Sequence, residues 1–374
     1  MARTLLVIDS LGSGGAQRQM VNLALGLKKR GFDVELFIYH PEDKFFFQAL
    51  LDKNINVVEY DRRMVTPFRL ALQLCREINL RKKEVVISFM DGPNMLSGFS
   101  RLLNFGRFTL IASERTNSLA DRSRFQRLVK VSVHSLSSKV VSNSHAEGRW
   151  LKSFFWLRRK VKVIPNGYEL PDKARSVKGL RKGLCVLVVG RIHTSKNGLN
   201  ICKAVTRFHK KMGWAPEIFW VGRQEKDLGS IKMRHEMDTV IKGDSEVAAR
   251  WNWEGEQRDV KSYLNTADVL VHASHFEGMP NAICEALCAG VPVIASDVGD
   301  NHMLIEQGVT GFLCNPDSDA SICEALENFV TQSQAARQVM SESAFKFAKA
   351  NLSVEKMVDA YQFLIEQCSD SGGF

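Results

Sequence analysis

The chain has 374 residues, 45% of them hydrophobic and 25% charged, and its formal net charge at pH 7 is +10. A chain of this length is expected to form two domains, and this composition is ordinary for a water-soluble globular protein. No run of about 18 apolar residues is present, which excludes a membrane-spanning helix. The eight scattered cysteines include no C-x-x-C pair and indicate reduced thiols rather than disulfides.

The N-terminal half alternates predicted strands with helices. A strand over Thr4–Asp9 leads through a glycine-rich turn into an amphipathic helix over Ala16–Arg30, and a second strand follows over Asp33–Tyr39. Because a helix joins these two strands, they are expected to be parallel neighbours in one sheet. Further strands are predicted at Asn56–Glu59, Val85–Phe89, Thr109–Ser113, Lys139–Ser142 and Val161–Ile164.

The segment 122–162 concentrates positive charge. It contains eleven Lys and Arg residues against one acidic residue, Glu147, and a capping box at Ser144–Glu147 predicts a helix start. Its bulky aromatic residues are Phe125, Trp150, Phe154, Phe155 and Trp156. Cations interspersed with aromatic rings favour an anionic membrane surface as the partner. A solvated basic face is the alternative, and nucleic acid is the least favoured partner.

The second half repeats the alternation. A polar, basic stretch over 169–183 resembles an interdomain linker, and strands are then predicted at Leu184–Val189, Glu217–Val221, Asp268–Ala273 and Val291–Ala295. From about Gln332 the chain is predicted to be helical to Gln367, with a break at 351–353. The pattern predicts an α/β protein with two doubly wound, Rossmann-like domains facing a cleft.

A glycine-rich turn follows the first predicted strand. Gly12, Gly14 and Gly15 lie in it, but Gln17 occupies the position where a dinucleotide fingerprint needs its third glycine. The second strand ends at Tyr39-His40, without the acidic residue that would bind a ribose. A dehydrogenase-type site is therefore poorly supported, and what remains is a turn whose N–H groups can face a ligand.

Two cations follow the first strand of the second half. Arg191 and Lys196 leave the end of that strand together and can converge on one diphosphate. Arginine would bind it as a planar fork and lysine as a point charge. The alternative is that both are ordinary surface cations.

Two carboxylates lie eight positions apart in the segment 277–285. Glu277 is in a predicted loop, whereas Glu285 lies in the helix that begins near Pro280 and shares a face with Asn281. Gly290 is the expected C′ residue that ends this helix. Carboxylates accept hydrogen bonds from sugar hydroxyls, and the N–H groups of a helix start bind phosphate. The alternative is a pair of solvated surface charges.

These segments resemble the retaining glycosyltransferases of family 4, which have the GT-B fold. The resemblance rests on Glu277–Glu285, on Gly190-Arg191 with Lys196, and on Gly14–Arg18. It implies transfer of a sugar, with retention of configuration, from a nucleotide-sugar that is a substrate, without a metal or another cofactor. It divides the chain into an acceptor domain over 1–168, a linker over 169–183, a donor domain over 184–350, and a C-terminal helix over 351–374 that packs toward the first domain.

The resemblance also implies the roles of individual residues. Arg191 and Lys196 would neutralise the leaving diphosphate, and Glu285 would bind the nucleotide ribose. Glu277, with Arg191 and Lys196, is assigned to catalysis. The transferred sugar and the donor phosphates would be bound by Gly14, Gly15, Glu277, Gly278, Met279, Pro280 and Asn281.

Acceptor binding is assigned to Gln17 and Arg115. Many relatives carry histidine at the position of Arg115, and a salt bridge from Arg115 to Glu114 or Asp91 is the structural alternative. Asn197 stands where the family more often has glycine. The donor is expected to be a UDP-sugar. The basic, aromatic first half favours a polyprenyl-diphosphate-linked acceptor of bacterial polysaccharide or glycan synthesis, with the protein in the cytoplasm, peripheral on the inner face of the membrane. The alternatives are another GT-B enzyme, such as an epimerase or a phosphorylase, and a non-catalytic GT-B scaffold.

Overall fold

The computed structural model describes residues 2–115, 123–177 and 183–370. Two parallel sheets form the centres of two compact units. The first unit is discontinuous: it contains the chain up to Gly167 and again from Ser353 onward. The second unit covers Tyr168–Leu352. The domain boundaries given above stay predictions. The part of the predicted linker over 178–182 lies outside the described residues.

The first unit contains a seven-stranded parallel sheet in its described part, in the order β3-β2-β1-β4-β5-β6-β7. The strands are β1 Arg3–Val7, β2 Asp33–Ile38, β3 Asn56–Glu59, β4 Val85–Phe89, β5 Thr109–Glu114, β6 Lys139–Ser142 and β7 Val161–Val163. The helices are α1 Gly15–Lys29, α2 Phe47–Leu51, α3 Pro67–Leu80, α4 Asp91–Leu103, α5 Arg124–Ser135 and α6 His145–Lys152. The strand order reverses between β1 and β4, because β1 pairs with both β2 and β4.

The second unit contains a six-stranded parallel sheet in its described part, in the order β10-β9-β8-β11-β12-β13. The strands are β8 Cys185–Val189, β9 Glu217–Val221, β10 Trp251–Gly255, β11 Val269–His272, β12 Val293–Ser296 and β13 Gly311–Cys314. The helices are α7 Gly198–Met212, α8 Leu228–Lys242, α9 Ser245–Ala249, α10 Val260–Thr266, α11 Asn281–Cys288, α12 Asn301–Leu304, α13 Asp319–Val330 and α14 Gln334–Asn351. The sequence analysis missed β10 and β13. Both are edge strands, and short edge strands carry little of the apolar pattern that marks a central one.

The C-terminal helical region divides where the sequence predicted a break. Helix α14 ends at Asn351, and a final helix, α15, covers Val354–Asp370. Helix α15 packs against α1 in the first unit, and a Cβ at Gly26 would overlap the Val358 side chain. The described part of the predicted linker lies on the second unit, where Arg175 donates to the Leu264 carbonyl at 2.9 Å and Val177 N–H donates to Gln338 Oε1 at 2.7 Å.

Candidate active site

The sheet of the second unit reverses its strand order between β8 and β11. Strand β8 pairs with β9 on one side and with β11 on the other. Loops that leave the carboxyl ends of such neighbouring strands diverge, and the crevice between them is where open α/β sheets bind ligands. Lys196 follows β8 and Glu277 follows β11. The topology therefore brings two predicted site residues to the same edge of the sheet.

Lys196, Glu277 and His272 form one cluster there. Lys196 Nζ lies 2.5 Å from Glu277 Oε1, and His272 Nε2 lies 2.7 Å from the same oxygen. His272 is the last residue of β11 and is buried, and Ser274 Oγ lies 3.2 Å from its Nε2. One carboxylate oxygen therefore contacts a lysine from one loop and a histidine from a strand end.

The environment keeps Glu277 ionised. Burial by itself would raise the pKa of Glu277, but the charge and hydrogen bond of His272, followed by those of Lys196, outweigh it. The pKa of Glu277 is accordingly held well below its usual range. A carboxylate this stable as an anion accepts hydrogen bonds and is a poor general base near neutral pH.

The backbone beneath Glu277 is supported by the turn after β12. Gly299 has a φ of 58°, and a Cβ there would overlap the Glu277 carbonyl oxygen. Asp300 N–H donates to the Gly278 carbonyl at 3.3 Å. Only glycine allows this approach, so Gly299 sets the height of the loop that carries Glu277.

The loop that carries Lys196 is shaped by the two residues at its ends. Gly190 packs beside the aliphatic part of the Lys196 side chain: a Cβ added at Gly190 would lie about 3.6 Å from the Lys196 side-chain carbons. Asn197 has a left-handed backbone with φ 58°, which explains why asparagine can replace the glycine that is usual in the family. Its buried amide donates to the Ala273 carbonyl at 2.9 Å and to the Pro316 carbonyl at 2.7 Å.

Arg191 occupies a separate ion pair. Its guanidinium lies 2.8 Å from Glu225 Oε1, which also contacts Arg223 at 3.2 Å. The Arg191 side chain is more than half exposed, so this pair is open to exchange with an anionic ligand. Convergence of Arg191 and Lys196 on one diphosphate stays a prediction.

Helix α11 begins directly after the Glu277 loop. Pro280 is its N-cap residue with ψ 122°, one position before the helix, and among the described residues no side chain caps it. Tyr168 Oη donates to Asn281 Oδ1 at 2.6 Å, and Met279 packs against the core below. Glu285 is half-buried one turn further on. The helix ends as predicted, with Gly290 at φ 67°.

The predicted residues of the first unit lie at its own strand ends. Gly14 is the N-cap residue of α1 and, like Gly15, is exposed. Gln17 folds back over Gly14 and donates from Nε2 to Asp9 Oδ1 at 3.0 Å. The glycines leave the start of α1 accessible, which is the property that the sequence analysis required of this turn.

Arg115 makes contacts other than the salt bridge considered above. Its guanidinium hydrogen-bonds Asn166, donates to Tyr361 Oη at 2.8 Å, and lies 3.9 Å from the centre of the Phe89 ring. Glu114 instead pairs with Lys130 and His134. Arg115 therefore links the end of β5 to α15, and its assignment to acceptor binding stays a prediction.

The basic segment 122–162 is only partly a surface. Arg122 lies outside the described residues, and Lys130 is buried against Glu114 and Glu147. Phe155 and Trp156 are exposed, whereas Trp150 and Phe154 pack against a small core. Ser144 Oγ accepts from Glu147 N–H at 3.2 Å, which is the backbone half of the predicted capping box.

Sequence reasoning missed His272, Gly299 and Tyr168. The sequence pattern places His272 only in a buried strand. A histidine that ends such a strand five residues before Glu277 is nevertheless a signal that the two side chains can meet. Gly299 and Tyr168 carry no local signal, because their partners lie far away in the sequence.

Family models match both units of the chain. Residues 183–332 match the glycosyl transferases group 1, and residues 13–170 match glycosyltransferase family 4. The chain belongs to the family 4, group 1 glycosyltransferases. This confirms the resemblance that the motifs predicted.

Two glycosyltransferases and one solved structure are similar to most of the chain. An uncharacterized glycosyltransferase of Haemophilus influenzae is 22% identical over 365 residues, which cover 96% of this chain and 98% of the relative. An α-1,4-N-acetyl-D-galactosaminyltransferase of Campylobacter jejuni, which acts on an undecaprenol-diphosphate-linked glycan, is 23% identical over 337 residues, 87% of this chain and 88% of that enzyme. The crystal structure of Anabaena HepE in complex with UDP has a TM-score of 0.79 at 18% identity and covers 98% of this chain and 100% of that one. The last similarity confirms the predicted GT-B fold.

None of the helices described over 2–115, 123–177 and 183–370 is both long and apolar enough to cross a bilayer. Within the same ranges, no group of three or more His, Cys, Asp or Glu side chains is arranged to hold a metal ion.

Proposed function

We propose that this glycosyltransferase moves a sugar from a UDP-sugar to a lipid-linked glycan acceptor, with retention of configuration, in bacterial polysaccharide or glycan synthesis. The observation that carries the proposal is the Lys196–Glu277–His272 cluster beside the start of α11, at the strand reversal of the second unit. This arrangement provides a cation, hydroxyl acceptors and helix N–H groups at one sheet edge, which are the groups that a sugar diphosphate requires.

Lys196 acts on the leaving group. Its ammonium is paired with Glu277, and its side chain is partly exposed. A donor diphosphate carries more negative charge than one carboxylate, so it attracts Lys196 more strongly. Negative charge grows on the diphosphate as the glycosidic bond breaks, and a cation placed there stabilises the transition state. Arg191 and the start of α11 add to this stabilisation.

Glu277 acts on the transferred sugar. When Lys196 moves toward phosphate, His272 still contacts Glu277 and keeps its carboxylate in place. The anion then accepts hydrogen bonds from sugar hydroxyls. His272 is therefore a positioning residue, and Glu285, one turn into α11, binds the nucleotide ribose.

The reaction exchanges one bond at the anomeric carbon for another. The bond from that carbon to the diphosphate oxygen breaks with its electron pair on the diphosphate, and a bond to the acceptor oxygen forms on the same face of the sugar. The acceptor proton passes to the departing diphosphate, as the family resemblance implies. The low pKa of Glu277 is in keeping with this route, because Glu277 then has no proton to take.

The acceptor is inferred from two observations. The Campylobacter relative acts on an undecaprenol-diphosphate-linked glycan, and Phe155 and Trp156 are exposed beside Arg158 and Arg159 in this chain. Exposed aromatic rings next to cations fit the interface of an anionic membrane. The protein would then act from the cytoplasm, peripherally on the inner face of the cytoplasmic membrane.

The deciding experiment is a panel of UDP-, GDP- and ADP-sugars, each incubated with polyprenyl-diphosphate-linked glycans and analysed for product by mass and for anomeric configuration by NMR. We expect product from UDP-sugars with retained configuration. Glu277→Ala should mainly lower kcat, and Glu285→Ala should mainly weaken UDP-sugar binding. Glu324→Ala, an exposed glutamate on α13, is the matched control. Full activity of both site variants contradicts the site, and no transfer from any donor contradicts the reaction.

A further inference from the structure

The first unit contains a pocket that none of the roles above uses. It has a volume of about 480 Å³ and lies between α4 and α5, over the end of β5. Its walls are apolar, formed by Met95 from α4 and by Phe125, Val129 and Val133 from α5. Its floor is polar, because Glu114, Lys130 and His134 line it as well. Apolar walls with a few convergent polar groups are the usual composition of a small-molecule site.

The floor is rigidly built. Asn94, Glu114 and His134 are almost completely buried, and Lys130 is nearly so. Asn94 donates to Glu114 Oε1 at 3.1 Å and accepts from Ser88 Oγ at 2.7 Å. The polar groups of the floor are therefore held in fixed positions, as recognition of a ligand requires.

His134 offers an open nitrogen in this floor. Its Nε2 lies 2.8 Å from Glu114 Oε1, so this side of the ring faces a carboxylate. Its buried Nδ1 has no hydrogen-bond partner among the residues that the structure describes. A buried polar atom without a partner is costly, and a ligand hydroxyl, which can both donate and accept, would remove that cost by bonding to Nδ1.

The charges of the floor select the ligand. Lys130 lies near three carboxylates, those of Glu114, Glu147 and Asp91, the last at 3.8 Å. Because Lys130 is already paired with carboxylates inside the protein, it offers a phosphate little attraction, whereas hydroxyl groups can still donate to carboxylate oxygens. At the mouth, the Phe125 ring is 74% exposed and presents a flat apolar surface.

We propose that this pocket binds a neutral sugar unit of the glycan acceptor. The sugar's hydroxyls bond to His134 Nδ1 and the carboxylates, and its C–H face packs on Phe125 and Val129. The proposal rests on the proposed function, because it names the part of the acceptor that this unit recognises. The pocket would bind the neutral glycan part of the acceptor and would not bind its diphosphate.

The test fills the pocket without altering its charges. Val129→Trp places a large side chain in it, and Phe125→Ala removes the platform. Phe68→Ala, on α3, is the matched control, since that ring is 63% exposed and lies outside the pocket lining. With a short, lipid-free glycan acceptor, the two pocket variants should raise the acceptor KM roughly tenfold, with the UDP-sugar KM and the control unchanged. An unchanged acceptor KM in Val129→Trp overturns the proposal.

A second measurement does not depend on transfer. Saturation-transfer NMR of the full chain with neutral hexoses and N-acetylhexosamines should show contacts that Val129→Trp abolishes, and sugar 6-phosphates should bind more weakly. If no transfer occurs but these contacts appear and disappear with Val129→Trp, the proposed function fails and the pocket stands. Absence of binding by every neutral sugar, or a preference for the phosphates, overturns the pocket. Circular dichroism shows whether Val129→Trp has folded, and Phe125→Ala repeats the test at an exposed position.

Discussion

Each unit of the molecule contains a glutamate that contacts both a lysine and a histidine. In the second unit, the Lys196 side chain is 23% exposed and that of Glu277 is 11% exposed. In the first unit, Lys130 is 4% exposed and Glu114 is 1% exposed. Both carboxylates stay ionised although they are buried. In each cluster the histidine and the lysine together hold the pKa of the glutamate well below its usual range.

The two clusters differ in solvent access rather than in residue type. Breaking a fully buried pair leaves an uncompensated charge, whereas a partly exposed partner can be replaced by water or by a ligand. We therefore expect Lys130 to act only in the structure of its unit, and Lys196 to be able to exchange Glu277 for the diphosphate of the proposed donor. The same three residue types thus line a pocket floor in one unit and form the proposed donor site in the other.

The largest expected effect comes from removing the buried lysine. Lys130→Met should lower the free energy of unfolding by about 3–5 kcal/mol, because it leaves Glu114 ionised, buried and without its ammonium partner. Urea unfolding followed by circular dichroism measures this loss.

Lys196→Met is the matched variant and should behave in the opposite way. Its free energy of unfolding should change by about 1 kcal/mol or less, while kcat for sugar transfer should fall roughly 100- to 1,000-fold. Lys203→Met, an exposed lysine on α7, controls for loss of a surface charge. A large loss of stability with little loss of activity in Lys196→Met would remove the distinction between the two clusters.

The next effect is on the pH dependence of stability. The pKa values of Glu114 and Glu277 are both lower in the folded state than their ordinary value of 4.5. Their contribution to stability is therefore complete above about pH 4.5 and is lost as the pH falls below it. Each carboxyl should add a slope of at most about 1.4 kcal/mol per pH unit in that range.

Urea unfolding between neutral pH and the acid range measures these slopes. Glu114→Gln and Glu277→Gln should each reduce the slope of unfolding free energy against pH in the acid range by the contribution of one carboxyl. An acid slope that is the same in the parent chain and both variants would contradict the pKa directions.

The smallest effect concerns the loop that carries Lys196. Asn197→Gly keeps the left-handed backbone but loses two side-chain hydrogen bonds, so it should cost about 1–2 kcal/mol. Asn197→Ala should cost about 1 kcal/mol more, because a Cβ disfavours that conformation. Thermal unfolding compares the two. If Ala is tolerated better than Gly, the left-handed conformation does not explain the residue.

Much of the fold could be predicted from local patterns. The central strands β1, β4, β8 and β11 are short apolar runs bounded by turn residues, and each was predicted to within two residues of its ends. The edge strands β10 and β13 were missed, since they are half-exposed or short and take their order from a neighbour. The break before α15 was also predicted, because it depends on residues adjacent in the chain.

The site was predictable only in part, for the same reason. The sequence alone determined the family, the two α/β sheets, and the chemistry available at the ends of β8 and β11, since these depend on local spacing and on motifs. Only the tertiary structure decided the partners. Lys196 and Glu277 are 81 positions apart and Arg115 and Tyr361 are 246 apart. Pairings at such separations follow from how strands order themselves in a sheet and from what becomes buried, and no local pattern records either.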